Sequence, residues 1–286
     1  MIYCISDLHL GDRGPRDNFT GREKSFNDFL DHVKDNELFI LGDLFEGWEL
    51  NIGDSIANNR EIFRRFTSMN STYVTGNHDN QVKPLVSSGL LDHTFFLDRT
   101  KDPFTKVIAG RRFFFCHGHE FDVSNKSAYP GTGEILSIAT AMYKDILKGP
   151  KLDDGRYIDE VLVRYAEKFL KYWNFFAKLF TPLPKISQKI HLTKLESGTR
   201  AGQNLEEMYQ FITDNNYDVI VAGHLHRIGF YEDWYVNTGS WFDVNNEYVT
   251  ISDTGTIALN KWENGPVILE EKGIQLCNMK LAKSLY

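Results

Sequence analysis

The sequence predicts an α/β fold, a sandwich of mixed sheets flanked by helices. Three observations carry that expectation. In the first third of the chain, short apolar runs alternate with amphipathic helical stretches, the mark of βαβ units. After Gly89 the runs shorten and are separated by turn signals, as antiparallel pairs require. Several of the runs also end in side chains that bind metals, which strand ends would deliver to one rim.

Taken in order, Ile2 to Ser6 reads as a buried strand, followed by a helix around Ser25 to Val33 with apolar residues at helical spacing. A strand Leu38 to Leu41, a helix Ile56 to Met69, a strand Thr72 to Thr75 and a short helix after Asn80 complete the alternating part. Strands are then expected near Thr94 to Leu97, Phe104 to Ala109 and Arg112 to His117, with a turn at Gly110-Arg111. A helix from about Leu205 to Asn215 and a strand Asp218 to Ala222 precede the tail. The tail reads as a meander with turns at Asp253 to Gly255 and Glu263 to Gly265. The chain of 286 residues is read as one domain, 1–286, with a helical insertion at about 120–200.

Composition narrows the function. A net charge of −7 disfavours a general nucleic-acid binder, which needs a basic face for phosphate contacts. Cys4, Cys116 and Cys277 are odd in number and irregular in spacing, so no disulfide framework is expected and a reducing compartment fits. Met1 leads straight into a strand, without the basic and apolar regions of a secretory signal, and no apolar run reaches the ~20 residues of a membrane span. A cytoplasmic location is the expectation.

Chemistry concentrates in Asp7-Leu-His9, Gly42-Asp43, Gly76-Asn77-His78-Asp79, His117-Gly-His119 and Gly223-His224-Leu-His226. They follow Cys-Ile-Ser, Leu-Phe-Ile-Leu, Tyr-Val-Thr, Phe-Phe-Phe-Cys and Val-Ile-Val-Ala, runs that read as strands. In extended chain Asp-x-His and His-x-His would place both side chains on one side, since successive residues alternate faces. A lone histidine is ordinarily a core or surface residue, but the repetition here favours a metal centre. A carboxylate can bridge two cations, while imidazole and amide oxygen fill further positions without cancelling their charge. Two divalent ions ~3.5–4 Å apart clamp a phosphoryl group and generate hydroxide near neutral pH. His78 is the candidate to protonate the leaving oxygen or to stabilise the phosphate, with Asp79 expected to orient its ring. Cys116 is expected to be a buried structural thiol, and His119 shares a strand parity with His117 that leaves its role open.

These motifs, in this order from Asp7 to His226, resemble the signature of the calcineurin-like metallophosphoesterases. The resemblance implies a four-layer αββα sandwich and two bound divalent ions, with manganese, iron and zinc equally suited. It further implies that Asp7, His9 and His226 hold one metal, that Asn77, His117 and His224 hold the other, and that Asp43 bridges them. The implied function is hydrolysis of a phosphoester or pyrophosphate bond by metal-bound hydroxide.

The insertion carries Ile158, Val161, Tyr165, Phe169, Tyr172 and Phe176 at helical spacing, with bulky residues off the stripe and interleaved lysines and arginines. Such a surface suits a cap that meets acyl chains or an anionic lipid interface, giving peripheral membrane contact. Gly42 to Trp48 and this aromatic insertion resemble the UDP-2,3-diacylglucosamine pyrophosphatases, although many of those carry arginine in place of His78 and aspartate in place of His119. Glu46 and Trp48 are expected either to shape the site or to pack the cap. Arg13 and Arg16 are within reach of a substrate phosphate if not simply solvated. The expected partner is therefore a phosphorylated small molecule or lipid. A broad phosphodiesterase or phosphomonoesterase acting on nucleotides or phosphoproteins is the alternative enzyme, a nuclease is disfavoured by charge, and a non-catalytic metal-binding scaffold is the alternative from another class.

Overall fold

The computed structural model describes residues 1–14, 17–122, 205–242 and 245–273. The expected helical cap, from residue 123 to about 200, lies outside the described residues, as do Arg16 and Cys277.

In chain order the first elements are β1 (Ile2–Ile5), α1 (Glu23–Val33), β2 (Glu37–Leu41), α2 (Ile52–Asn58), α3 (Arg60–Ser68), β3 (Asn70–Val74), α4 (Val82–Ser87), α5 (Thr94–Arg99) and β4 (Thr100–Lys101). Then come β5 (Phe104–Ile108), β6 (Arg111–Phe115), a single 3-10 turn at His119–Phe121, α6 (Leu205–Asp214), β7 (Val219–Ala222), β8 (Gly229–Glu232) and β9 (Tyr235–Asn237). The last are β10 (Glu247–Ile251), β11 (Ile257–Trp262) and β12 (Pro266–Lys272).

Two mixed sheets result, one ordered β12-β11-β10-β1-β2-β3-β4 and the other β5-β6-β7-β9-β8. Cys4, Phe39, Leu41 and Val74 of the first sheet pack against Phe113, Phe115, Val219 and Val236 of the second, forming the central apolar layer. On the outer face of the first sheet, Ile40 and Tyr73 meet Phe26, Phe29, Phe63, Phe66 and Phe95 from the helices. On the outer face of the second, Ile220 and Tyr235 meet Met208 and Ile212 of α6. The described residues therefore stack as α, β, β, α. Among them no helix is long and apolar enough to cross a membrane.

Three local expectations change. Thr94 to Leu97 is helix rather than strand: His93 accepts a hydrogen bond from the Phe95 N–H, and the adjacent Phe95 and Phe96 are both buried. A strand would turn neighbours to opposite faces, whereas a broad helical stripe accepts both. The helix expected at Ile56 to Met69 is two helices divided at Asn59, whose side-chain amide donates to Gly11 O at 2.9 Å and Ser55 O at 2.8 Å. The tail is not one meander, because β8 and β9 join the second sheet and β10 to β12 the first.

Strands β1, β2 and β3 run parallel in one sheet, as do β6, β7 and β9 in the other. Each parallel set ends along one edge, where chain leaving the sheet is free to converge.

Candidate metal centre

Beyond β1 and β2 the backbone ladder continues for a few residues. Asp7 N donates to Gly42 O at 3.1 Å, His9 N to Asp43 O at 3.0 Å and Leu10 N to Leu44 O at 2.9 Å. The candidate ligands hang from this extension in an unusual conformation: Asp7, His9, Asp43, His224 and His226 have φ of 54°, 47°, 49°, 73° and 52°. The left-handed region is costly for side-chain-bearing residues and, where observed, marks sites held by their surroundings. The strand parity expected for Asp-x-His and His-x-His is thus not what aligns these side chains; β1 and β7 have already ended, and left-handed turns aim them. His119 likewise lies in the 3-10 turn, not in register with His117 along a strand.

Two donor sets emerge, Asp7, His9, Asp43 and His226 in one and Asp43, His117 and His224 in the other, with ligand atoms within 4.8 Å of one another in each. His226 Nε2 lies 3.0 Å from Asp7 Oδ1 and 3.3 Å from His9 Nε2. Asp43 Oδ2 is 3.9 Å from His9 Nε2 and 3.2 Å from His117 Nε2, which is also 3.0 Å from Asn77 Oδ1. Asp43 belongs to both sets. At Gly76 and Gly223 close packing demands glycine: a methyl at Gly76 would collide with the Asp43 carboxylate, and one at Gly223 would meet Asp7 Oδ2 at 2.6 Å.

The donor atoms fit divalent cations. Asp7 is fully buried, and its Oδ1 has only the His226 ring close beside it among the described residues, a carboxylate oxygen that a cation can claim. Imidazoles are held by carboxylate or carbonyl oxygens: His9 Nδ1 by Glu46 Oε2 at 2.8 Å and His117 Nδ1 by Leu41 O at 2.8 Å, leaving Nε2 toward Asp43, and His224 Nε2 by Asp122 Oδ2 at 2.7 Å. Such partners set the tautomer of a metal-binding ring. Without cations, charge balance falls to the histidines. Burial opposes protonation of His117, but Asp43 and Asp7 outweigh it and raise the ring to about 10; His9 is raised to about 9 against its own burial by Glu46 and Asp43. Asp43, despite burial, is held well below the usual carboxylate range by His117 and His78.

His9, Glu46 and His78 also cluster, but here Glu46 accepts from both rings rather than sharing a cation, with Oε1 2.8 Å from His78 Nδ1. The His78 ring stacks on Trp48 at 3.9 Å. Asp79 does not orient it. Buried Asp79 accepts from Leu44 N at 2.6 Å, Gly76 N at 2.5 Å and Tyr73 Oη at 2.6 Å, tying the loops after β2 and β3 together. Burial, aided by the charge of Asp43, raises its carboxyl to about 6. Among the described residues His119 Nδ1 makes no hydrogen bond, and burial together with His117 lowers this ring to about 4. Cys116 is a buried thiol, and Arg13 pairs with Glu23 at 2.5 Å and Asn59 at 3.0 Å. Sequence reasoning missed Asp122 and Tyr73 and left Glu46 undecided.

Residues 1–227 match the family model of the calcineurin-like phosphoesterases. The chain belongs to that family. As a calcineurin-like phosphoesterase it is a metal-dependent hydrolase of phosphoester bonds. No curated protein sequence matches it significantly. Among solved structures it is similar to Vps29 of Entamoeba histolytica complexed with zinc, at 11% identity and a TM-score of 0.43, covering 96% of this chain and 99% of that one. It is also similar to a predicted phosphoesterase of Streptococcus pneumoniae, at 12% identity and a TM-score of 0.38 over 95% and 94% of the two chains. An archaeal phosphodiesterase matches at 12% identity and a TM-score of 0.38 over 94% and 99%.

Proposed function

We propose that the chain is a two-metal phosphohydrolase. The observation that carries this reading is Asp43, whose carboxylate belongs to both donor sets and is therefore able to bridge two cations. Asp7, His9 and His226 would hold one, and Asn77, His117 and His224 the other; manganese, iron and zinc all suit these donors. When bound, the pair supplies charge to clamp a phosphoryl group and acidifies water to a nucleophile. Glu46 fixes His9 and His78 through their Nδ1 atoms. His78 is left with Nε2 to give a proton to the leaving oxygen, while Trp48 covers one face of its ring.

The proposed substrate is a lipid-linked or nucleotide-sugar pyrophosphate such as UDP-2,3-diacylglucosamine, supported by the Gly42 to Trp48 motif and the aromatic insertion. The same reading has the enzyme working in the cytoplasm at a membrane surface. A second reading, a broad phosphodiesterase or phosphomonoesterase, is favoured by His78. A carboxylate-backed imidazole helps most when an alkoxide departs and least when the leaving group is itself a phosphate.

A substrate panel tests both readings: UDP-diacylglucosamine, bare nucleotide sugars, cyclic nucleotides and a phosphomonoester, each with added manganese. Preference for the acylated pyrophosphate supports the first substrate; preference for an ester supports the second. Asp43→Ala should abolish turnover and bind fewer than two ions, and near-native values would refute the bridge.

A further inference from the structure

Asp122 follows the 3-10 turn that begins after Gly118, its N–H donating to His119 O at 3.1 Å. It is buried, and its Oδ2 lies 2.7 Å from Nε2 of His224. Its carboxylate is not a member of either donor set, so it stands behind the histidine rather than beside it. With Nε2 engaged, the ring has Nδ1 left to offer to the position shared with Asp43 and His117. A carboxylate on the far nitrogen of a metal-binding imidazole stops ring rotation, selects the tautomer and makes the donor nitrogen more basic.

The first donor set has its own support in Glu46, which grips His9, a residue of that set only. The two carboxylates therefore divide the centre between them. We infer that Asp122 is a positioning residue that turns Nδ1 of His224 toward the second cation and governs that cation selectively. The inference rests on the two-metal reading above.

The test is a manganese titration of the full chain, counting bound ions by calorimetry and separating coupled from isolated ions by electron paramagnetic resonance. The native chain should bind two ions with a spin-coupled spectrum. Asp122→Ala should keep the first ion and bind the second roughly 10- to 100-fold more weakly, leaving an isolated-ion spectrum. Asp122→Asn, whose amide oxygen still accepts from Nε2–H, should recover part of the loss. In a His224→Ala background Asp122→Ala should add no further loss, since coupled residues are not additive.

Native affinity for both ions in Asp122→Ala, or an equal loss in the His224→Ala background, would overturn the inference alone. If Asp122→Ala does not fold, Asp122→Asn decides: weaker binding of the second ion supports the assignment, and native binding overturns it. A native chain that binds no more than one ion would overturn the two-metal reading and this inference with it.

Discussion

Glu46 and His78 are joined by one hydrogen bond, Oε1 to Nδ1 at 2.8 Å, while the other oxygen of the same carboxylate lies 2.8 Å from Nδ1 of His9. A single buried acid thus holds a candidate ligand and a candidate proton donor. Glu46→Gln keeps the shape but turns an amide NH2 toward one of the two rings. Metal affinity should fall by about 10- to 100-fold, the usual cost of losing a partner behind a ligand, and turnover at saturating metal should also fall. Calorimetric titration and kcat measured together check this; a change in only one would separate the two roles.

For His78→Ala the metal content should match that of the native chain and kcat should drop by roughly 10²- to 10⁴-fold, the range of general acid catalysis. The loss should be greater for an alkyl phosphodiester than for a p-nitrophenyl ester, whose leaving group needs little protonation. Equal losses on the two esters would remove the proton-donor role.

Metal affinity should rise with pH. His9 and His117 sit at about 9 and about 10, above the ordinary 6.5, and each must shed its proton before donating to a cation. In the metal-free protein the sign is opposite. Both rings hold protons more tightly folded than unfolded, so the stability they give is complete below pH 6.5 and is lost as pH rises through about 9 and about 10. Denaturant unfolding with and without manganese across pH 6 to 10 should show the two trends diverging.

Tyr73→Phe tests the structural role of Asp79. Removing the hydroxyl that donates to Oδ2 at 2.6 Å takes away a hydrogen bond to a buried carboxyl, worth roughly 1.5–3 kcal/mol. The denaturation midpoint should fall accordingly while the number of bound ions stays the same. Loss of metal instead would make Asp79 part of the centre's support.

The candidate ligands are legible in the sequence because each follows a short apolar run, and the parallel strands do end where the runs end. What brings them together is not legible. Periodicity describes strands and is silent past their ends, where Asp7, His9, Asp43, His224 and His226 adopt left-handed backbone. The carboxylates behind the imidazoles are also hidden, because Glu46 meets His9 across 37 residues and Asp122 meets His224 across 102. No local pattern encodes such pairs. Thr94 to Leu97 misleads for a related reason: its consecutive aromatics satisfy a buried strand and a buried helix equally, and only the His93 cap decides.

Left-handed backbone at these five positions costs about 1–2 kcal/mol for each residue. None of that cost falls on the interleaved aromatic layers beneath, which contain none of these residues. The sandwich can therefore be assembled by greasy packing alone, and the ion-binding crown is a separate, tensioned structure laid across its top. Bound cations would act there as rivets, fastening loops that would otherwise relax, so chelation should loosen the crown while leaving the sandwich core below it standing.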